Sequence, residues 1–241
     1  MEPVLEVSGL TFSYENRLPV LEDLSLTVWA GERVGVVGPN GAGKTTCFLL
    51  VCGVLKPAAG EIRLFGKPVV PGEFRPEAGM VFQNPDDQLF CPSVWDDVAF
   101  GPRNLGLSKE EVEARVREAL ALTGITELAG RPPHHLSGGQ KRLAAVAGVL
   151  AMRPRLVIYD EPTANLDSRY RRRLINLLRA SAQEAMLVAS HDLEFILEVC
   201  NRTILLDGGR LVADGAPEEI LGNAALMEAH GLERPHSLSL R

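Results

Sequence analysis

The octet Gly38-Pro39-Asn40-Gly41-Ala42-Gly43-Lys44-Thr45 fits the pattern G-x-x-x-x-G-K-[ST] and constrains this chain more than any other feature. An apolar run, Val34 to Val37, leads into it and reads as a strand; Thr45 through Val51 reads as the helix that leaves it. Glycines let such a loop curl so that successive N–H groups point at phosphate oxygens. The positive end of the helix dipole points the same way. Lys44 supplies a cation for the β- and γ-phosphates, the Thr45 hydroxyl is placed to bind Mg²⁺, and Thr46 belongs to the same phosphate-facing set. The alternative, a Gly-rich turn with no ligand, leaves the flanking strand and helix unexplained.

The 241 residues suffice for one large domain or a domain with an insertion, and 46% hydrophobic residues can build a substantial core. A formal charge of −6 argues against holding nucleic acid by bulk charge. The start, Met1-Glu2-Pro3, is acidic and without an apolar region, so no secretory signal is expected. The longest apolar run, Leu143 to Met152, falls well short of the ~20 residues of a membrane span. Cysteines 47, 52, 91 and 200 form no C-x-x-C pair and read as thiols in a reducing compartment. Cys47, close behind the phosphate loop, is a candidate for oxidation. His134, His135, His191, His230 and His236 show no compact ligand spacing, so a protein-built transition-metal site is not expected.

Alternating apolar residues over Val4 to Tyr14 and Leu21 to Trp29 predict antiparallel strands, and Gly60 to Phe65 another. Ala78 to Phe82 is an apolar run ending at Gln83. A polar break, Asn84 to Gln88, then opens a helical region. Ser108 with Glu111 forms a capping box, and Ser137 caps a helix that Arg153-Pro154 ends. Leu156 to Tyr159 and Met186 to Ala189 are short apolar strands. Ile204 to Ala213 reads as a hairpin, and the tail beyond Pro217 as a short helix with an irregular end. Strands apolar throughout, alternating with helices, predict an α/β fold with a mainly parallel core sheet. Ligands of such sheets sit beyond the carboxyl ends of the strands. Four predicted strands run out into Gly38, Gln83, Asp160-Glu161 and His191, which predicts chemistry at one rim.

Asp160, after four apolar residues, suits a Mg²⁺-binding carboxylate. Glu161, one residue on, suits polarisation of an attacking water. Without the phosphate loop the pair would read as a solvated turn. Leu136-Ser137-Gly138-Gly139-Gln140 is a Ser-capped, Gly-rich helix start and thus a second anion-receiving site, or else an ordinary helix start. One nucleotide needs one phosphate loop, so a second site calls for explanation.

In order and spacing, the phosphate loop, Gln83, Leu136 to Gln140, Leu156 to Glu161, Ala164-Asn165-Leu166-Asp167 and His191 resemble the ATP-binding cassette subunit of a transporter. The resemblance covers essentially the whole chain. It implies a P-loop NTPase cassette with an N-terminal antiparallel β subdomain and an inserted α-helical subdomain. Residues 1–83 and 156–222 would form the nucleotide-binding core, 84–155 the helical signature subdomain and 223–241 a C-terminal tail. It further implies that two cassettes, identical or paralogous, sandwich ATP and Mg²⁺ between the P-loop of one and Ser137, Gly138, Gly139 and Gln140 of the other. Tyr14 would stack on adenine, or else be a strand aromatic of the core. Gln83 would contact Mg²⁺ or the water, Asp167 would reach across the dimer, and His191 would hydrogen-bond the γ-phosphate. Glu161, His191, Lys44 and Gln83 would form the catalytic set.

The segment Val81 to Phe90 and the run Asp96-Asp97-Val98-Ala99-Phe100-Gly101-Pro102 resemble energy-coupling factor importers. There the Pro85 to Leu89 stretch docks a helix of an integral membrane coupling subunit, which works beside a substrate-binding membrane subunit. The tail from Glu228 to Leu238 is similar to the cobalt and nickel branch. A place on the cytoplasmic face of the cell membrane follows from the resemblance. Two departures stand out: Asn165 where many such cassettes have Gly, and Lys141-Arg142-Leu143 where a longer basic run is common. Arg169, Arg171, Arg172 and Arg173 read as a solvated helix face or a contact for anionic head groups. The competing expectations are a vitamin importer of the same type and a soluble cassette with no transport role.

Overall fold

The computed structural model describes residues 2–15 and 18–239. In chain order the strands are β1 (Leu5–Phe12), β2 (Leu21–Val28), β3 (Arg33–Val37), β4 (Ala59–Leu64), β5 (Lys67–Pro68), β6 (Ala78–Val81), β7 (Leu156–Asp160), β8 (Ala185–Ala189), β9 (Arg202–Asp207) and β10 (Arg210–Gly215). The α-helices are α1 (Lys44–Val51), α2 (Val94–Asn104), α3 (Lys109–Thr123), α4 (Gly138–Ala151), α5 (Ser168–Arg179), α6 (Leu193–Val199), α7 (Pro217–Gly222), α8 (Ala224–Ala229) and α9 (His236–Ser239). They fall into two compact units, Met1–Arg75 with Glu184–Arg241, and Pro76–Gln183.

The first unit holds two sheet segments. β1 pairs antiparallel with β2 (Leu5 opposite Val28) and with β4 (Leu5 opposite Leu64), as the alternation predicts. β3 runs parallel to β8, with Val36 opposite Ala189, and parallel to β9, with Val37 opposite Leu205. β10 closes this edge antiparallel to β9. Val34, Val36 and Val37 are buried, as residues of a strand covered on both faces must be. The end of the chain differs from expectation. The segment beyond Pro217 holds three short helices, α7 to α9, where one and an irregular end were expected. Ser237 explains part of this, because its N–H and hydroxyl donate to the Glu194 carboxylate at 2.9 and 2.8 Å. The last two residues of the expected tail lie outside the described residues.

In the second unit β6 runs parallel to β7, with Val81 opposite Tyr159. The helices gather around an apolar cluster that includes Val94, Val98, Val116, Leu120, Leu143 and Ala147. The expected capping box of Ser108 with Glu111 forms at α3, and the expected Ser137 cap of α4 proves to be a second box, with Gln140. The apolar run Leu143 to Met152 is the buried flank of α4. No helix among the described residues is long and apolar enough to cross a membrane. Mainly parallel core strands, an antiparallel N-terminal sheet and a helical segment make up the expected α/β architecture.

Candidate nucleotide site

In the first unit, β3 delivers the chain into the phosphate loop and α1 carries it away. Gly38 and Gly43 have φ of 151° and 98°. A Cβ on Gly38 would stand 1.9 Å from the Leu206 carbonyl oxygen, and one on Gly43 would stand 2.7 Å from Leu21 Cδ2. The loop therefore needs glycine at both places to lie against its own unit. α1 begins on Gly43, which has no side-chain oxygen to cap it, and has no acid in its first turn. That leaves the helix start suited to an anion. Lys44 Nζ donates to the carbonyls of Gly38 and Pro39 at 2.7 and 2.9 Å, so the ammonium lies back over the loop. Asn40, Gly41 and Thr45 are exposed, while Ala42, Lys44 and Thr46 are buried.

Tyr14 stands two residues past β1 and is 40% exposed. Its ring meets Phe12 edge to face at 4.9 Å, and its hydroxyl lies 3.3 Å from that of Thr46. An open aromatic face beside the loop helix suits a base. His191 is exposed two residues beyond β8. The Asp192 carboxylate accepts from the N–H of Phe195 and caps α6, which fixes the turn that carries the imidazole. Gly38 and His191 thus each lie two residues beyond a paired couple, Val36 and Ala189, at the same end of parallel neighbours.

Cys47 does not suit an oxidation-sensitive role. Burial, with a smaller contribution from Cys52, pushes its thiol up to about 12, so it stays protonated and inert.

The second unit repeats the geometry. Gln83 and Glu161 each lie two residues past the paired Val81 and Tyr159. Asp160, 2% exposed, ends β7; Glu161, 8% exposed, takes φ of 45°, a region that non-glycine residues rarely occupy. Such backbone placement clusters where a side chain must be aimed. Asn165 has φ of 60°. This accounts for one departure from the family pattern, because Asn is among the few residues that tolerate the left-handed region glycine usually fills. Asp167, exposed, caps α5 by accepting from the Tyr170 N–H at 2.9 Å.

At the start of α4 the Gln140 side chain accepts from the Ser137 N–H at 2.9 Å, so Gln140 serves its own helix. A Cβ on Gly139 would stand 2.5 Å from the Tyr170 ring, whereas Gly138 faces open space. Packing within the chain therefore explains glycine at 139 and leaves the Ser137-Gly138 edge open to approach from outside.

Two residues of this unit have roles that the sequence reading did not assign. Arg142 donates to the carbonyls of Phe82 and Gln83, both at 2.6 Å. Gln88 accepts from the Phe82 N–H at 3.1 Å and donates to the Ala145 carbonyl at 3.2 Å. The available signal was a cation on the apolar face of α4, three residues after Gly139 and four before Val146.

A model of the family described as ABC transporter matches residues 21–164. The chain belongs to the ABC transporter family. It is 55% identical to an ABC transporter ATP-binding protein of Synechocystis sp., over 98% of this chain and 83% of that protein. It is 44% identical to the energy-coupling factor transporter ATP-binding protein EcfA of Methanothermobacter thermautotrophicus, over 98% and 78%. The solved structure of cbiO1 from Clostridium perfringens, part of the ABC transporter complex cbiONQ, superposes with a TM-score of 0.84. That comparison covers 100% of this chain and 99% of the other at 34% identity. The enzyme class is that of the family, an ABC-type ATPase.

Proposed function

We propose that this cassette hydrolyses ATP to power import through a separate transmembrane complex of the energy-coupling factor type, with cobalt or nickel ions as cargo. The observation that carries the hydrolytic part is Glu161: a buried carboxylate held in a rare backbone conformation one residue past Asp160. In this reading residues 1–83 and 156–222 bind the nucleotide, 84–155 carry the signature helix, and Tyr14 stacks on adenine. Backbone amides of 38–43, Lys44 and Thr46 hold the phosphates, and a second cassette presents Ser137, Gly138 and Gly139, with Gln140 bracing that helix start. Asp167 reaches across to that second cassette.

Glu161 accepts a proton from the attacking water as the new P–O bond forms and the bond to the bridging oxygen of the β-phosphate breaks. His191 orients the γ-phosphate. Lys44 and the loop amides meet negative charge as it develops.

The oxygen donors of Thr45, Gln83 and Asp160 fit Mg²⁺ in kind, since that ion is usually held by one or two carboxylates with phosphate and water oxygens. Among the described residues no group of three or more His, Cys, Asp or Glu stands together as a metal site, so one carboxylate with hydroxyl and amide oxygens is the set on offer. When bound, Mg²⁺ neutralises phosphate charge.

Transport is supported by likeness to EcfA and cbiO1 and by an aromatic pair. Phe90, 65% exposed, meets Phe100 edge to face at 4.9 Å shortly after Gln83. Exposed paired aromatics suit a buried contact with an integral membrane coupling subunit, beside which a substrate-binding membrane subunit would select cargo. In this reading the cassette sits on the cytoplasmic face of the membrane. Radiolabelled Co²⁺, Ni²⁺ and vitamin uptake in cells with and without this subunit tests the reading. Loss of Co²⁺ or Ni²⁺ uptake supports it. Loss of vitamin uptake alone moves the cargo to vitamins, and no change in any uptake favours a cassette outside transport.

A further inference from the structure

Arg142 is 3% exposed on the inner face of α4, five residues after the Ser137 cap. Its Nη1 and Nη2 donate to two successive backbone carbonyls, Phe82 and Gln83, and its Nε meets no acceptor among the described residues. Burial pulls the guanidinium below its usual range, and the carboxylates of Asp160 and Glu161 pull it back up. A buried cation costs more than an apolar side chain of the same volume, so packing alone does not explain it. The same helix grips the same loop twice more. Lys141 Nζ reaches Asp86 Oδ1 at 2.6 Å, and the Ala145 carbonyl receives Gln88 Nε2. Two charged donor arms on adjacent peptide planes leave the backbone at Gln83 little freedom to rotate.

We propose that Arg142 is a positioning residue: it holds the backbone that carries Gln83 and fixes that backbone to the helix that begins at Ser137-Gly138. The inference rests on the functional reading above. There Gln83 serves the nucleotide on this chain's own phosphate loop, and the start of α4 serves the second nucleotide. Arg142 acts through Gln83, so its contribution to turnover vanishes when Gln83 has no side chain to place. It is also specific to the guanidinium, whose rigid planar fork fixes the direction of both bonds at once, which a freely rotating ammonium on a flexible stem does not.

A double-mutant cycle on ATP turnover by the full chain tests this. Arg142→Lys lowers kcat about tenfold, with KM for ATP within about twofold, and in a Gln83→Ala background it lowers kcat less than about twofold. An equal fold-loss in both backgrounds, with native turnover intact, overturns this inference and leaves the ATPase reading standing. Absence of ATP hydrolysis by the native chain overturns both. Should Arg142→Lys not fold, Lys141→Met carries the same cycle, because it removes only the half-exposed tie to Asp86. Its expected loss of about threefold must likewise disappear in the Gln83→Ala background.

Discussion

The hydroxyls of Tyr14 and Thr46 lie 3.3 Å apart, so an exposed aromatic ring stands directly against the helix that leaves the phosphate loop. The ring and the hydroxyl do separable work. Tyr14→Phe keeps the stacking face and should leave ATP affinity within about twofold. Tyr14→Ala removes it and should weaken affinity about tenfold, the scale of one aromatic contact. Equilibrium binding of a fluorescent ATP analogue reads both.

Gly38→Ala places a Cβ against the Leu206 carbonyl, a clash the loop can relieve only by moving. It should cost about 3 kcal/mol of stability and abolish nucleotide binding. Gly41→Ala meets nothing within 4 Å and carries only the strain of φ 80°, about 1 kcal/mol. Denaturant melts of both variants separate steric from conformational cost.

Asp167 has a local duty as cap of α5 beside any role toward a second cassette. Asn caps as well as Asp does, so Asp167→Asn should hold stability within about 0.5 kcal/mol, whereas Asp167→Ala should lose about 1 kcal/mol. If the carboxylate also reaches across a dimer, the Asn variant still loses turnover. Thermal melts run beside phosphate release distinguish the two duties.

Cys47, with its thiol raised from 9.0 to about 12, should resist alkylation between pH 7 and pH 10 in the folded protein. The thiol titrates more easily in the unfolded chain, so this burial contributes stability that is full below about pH 9 and lost as pH rises toward 12. Iodoacetamide labelling followed by peptide mapping checks the first statement, and chemical melts across that pH range check the second.

Local patterns in the sequence carried much of this fold. The alternation of Leu5 to Phe12, the valines before Gly38 and the Ser-x-x-Glu and Ser-x-x-Gln boxes each act within a few residues, so their outcome is readable without tertiary context. Arg142 was not readable in this way, because its partners lie about sixty residues back and are backbone carbonyls with no side-chain signature. The last helix of the tail has a distant partner as well, since Ser237 donates to Glu194, 43 residues back. Asn165 looked like a departure and proved to be a left-handed position, a property of the backbone that composition does not display.

The central claim is that ATP joins two copies of this cassette and that Glu161 then drives its cleavage. Sedimentation velocity of Glu161→Gln with and without MgATP, with phosphate release followed in the same samples, tests it most directly. The account predicts a stable dimer that appears only with ATP and a turnover reduced about a hundredfold or more. A variant that turns over at the native rate, or stays monomeric at saturating ATP, would contradict it.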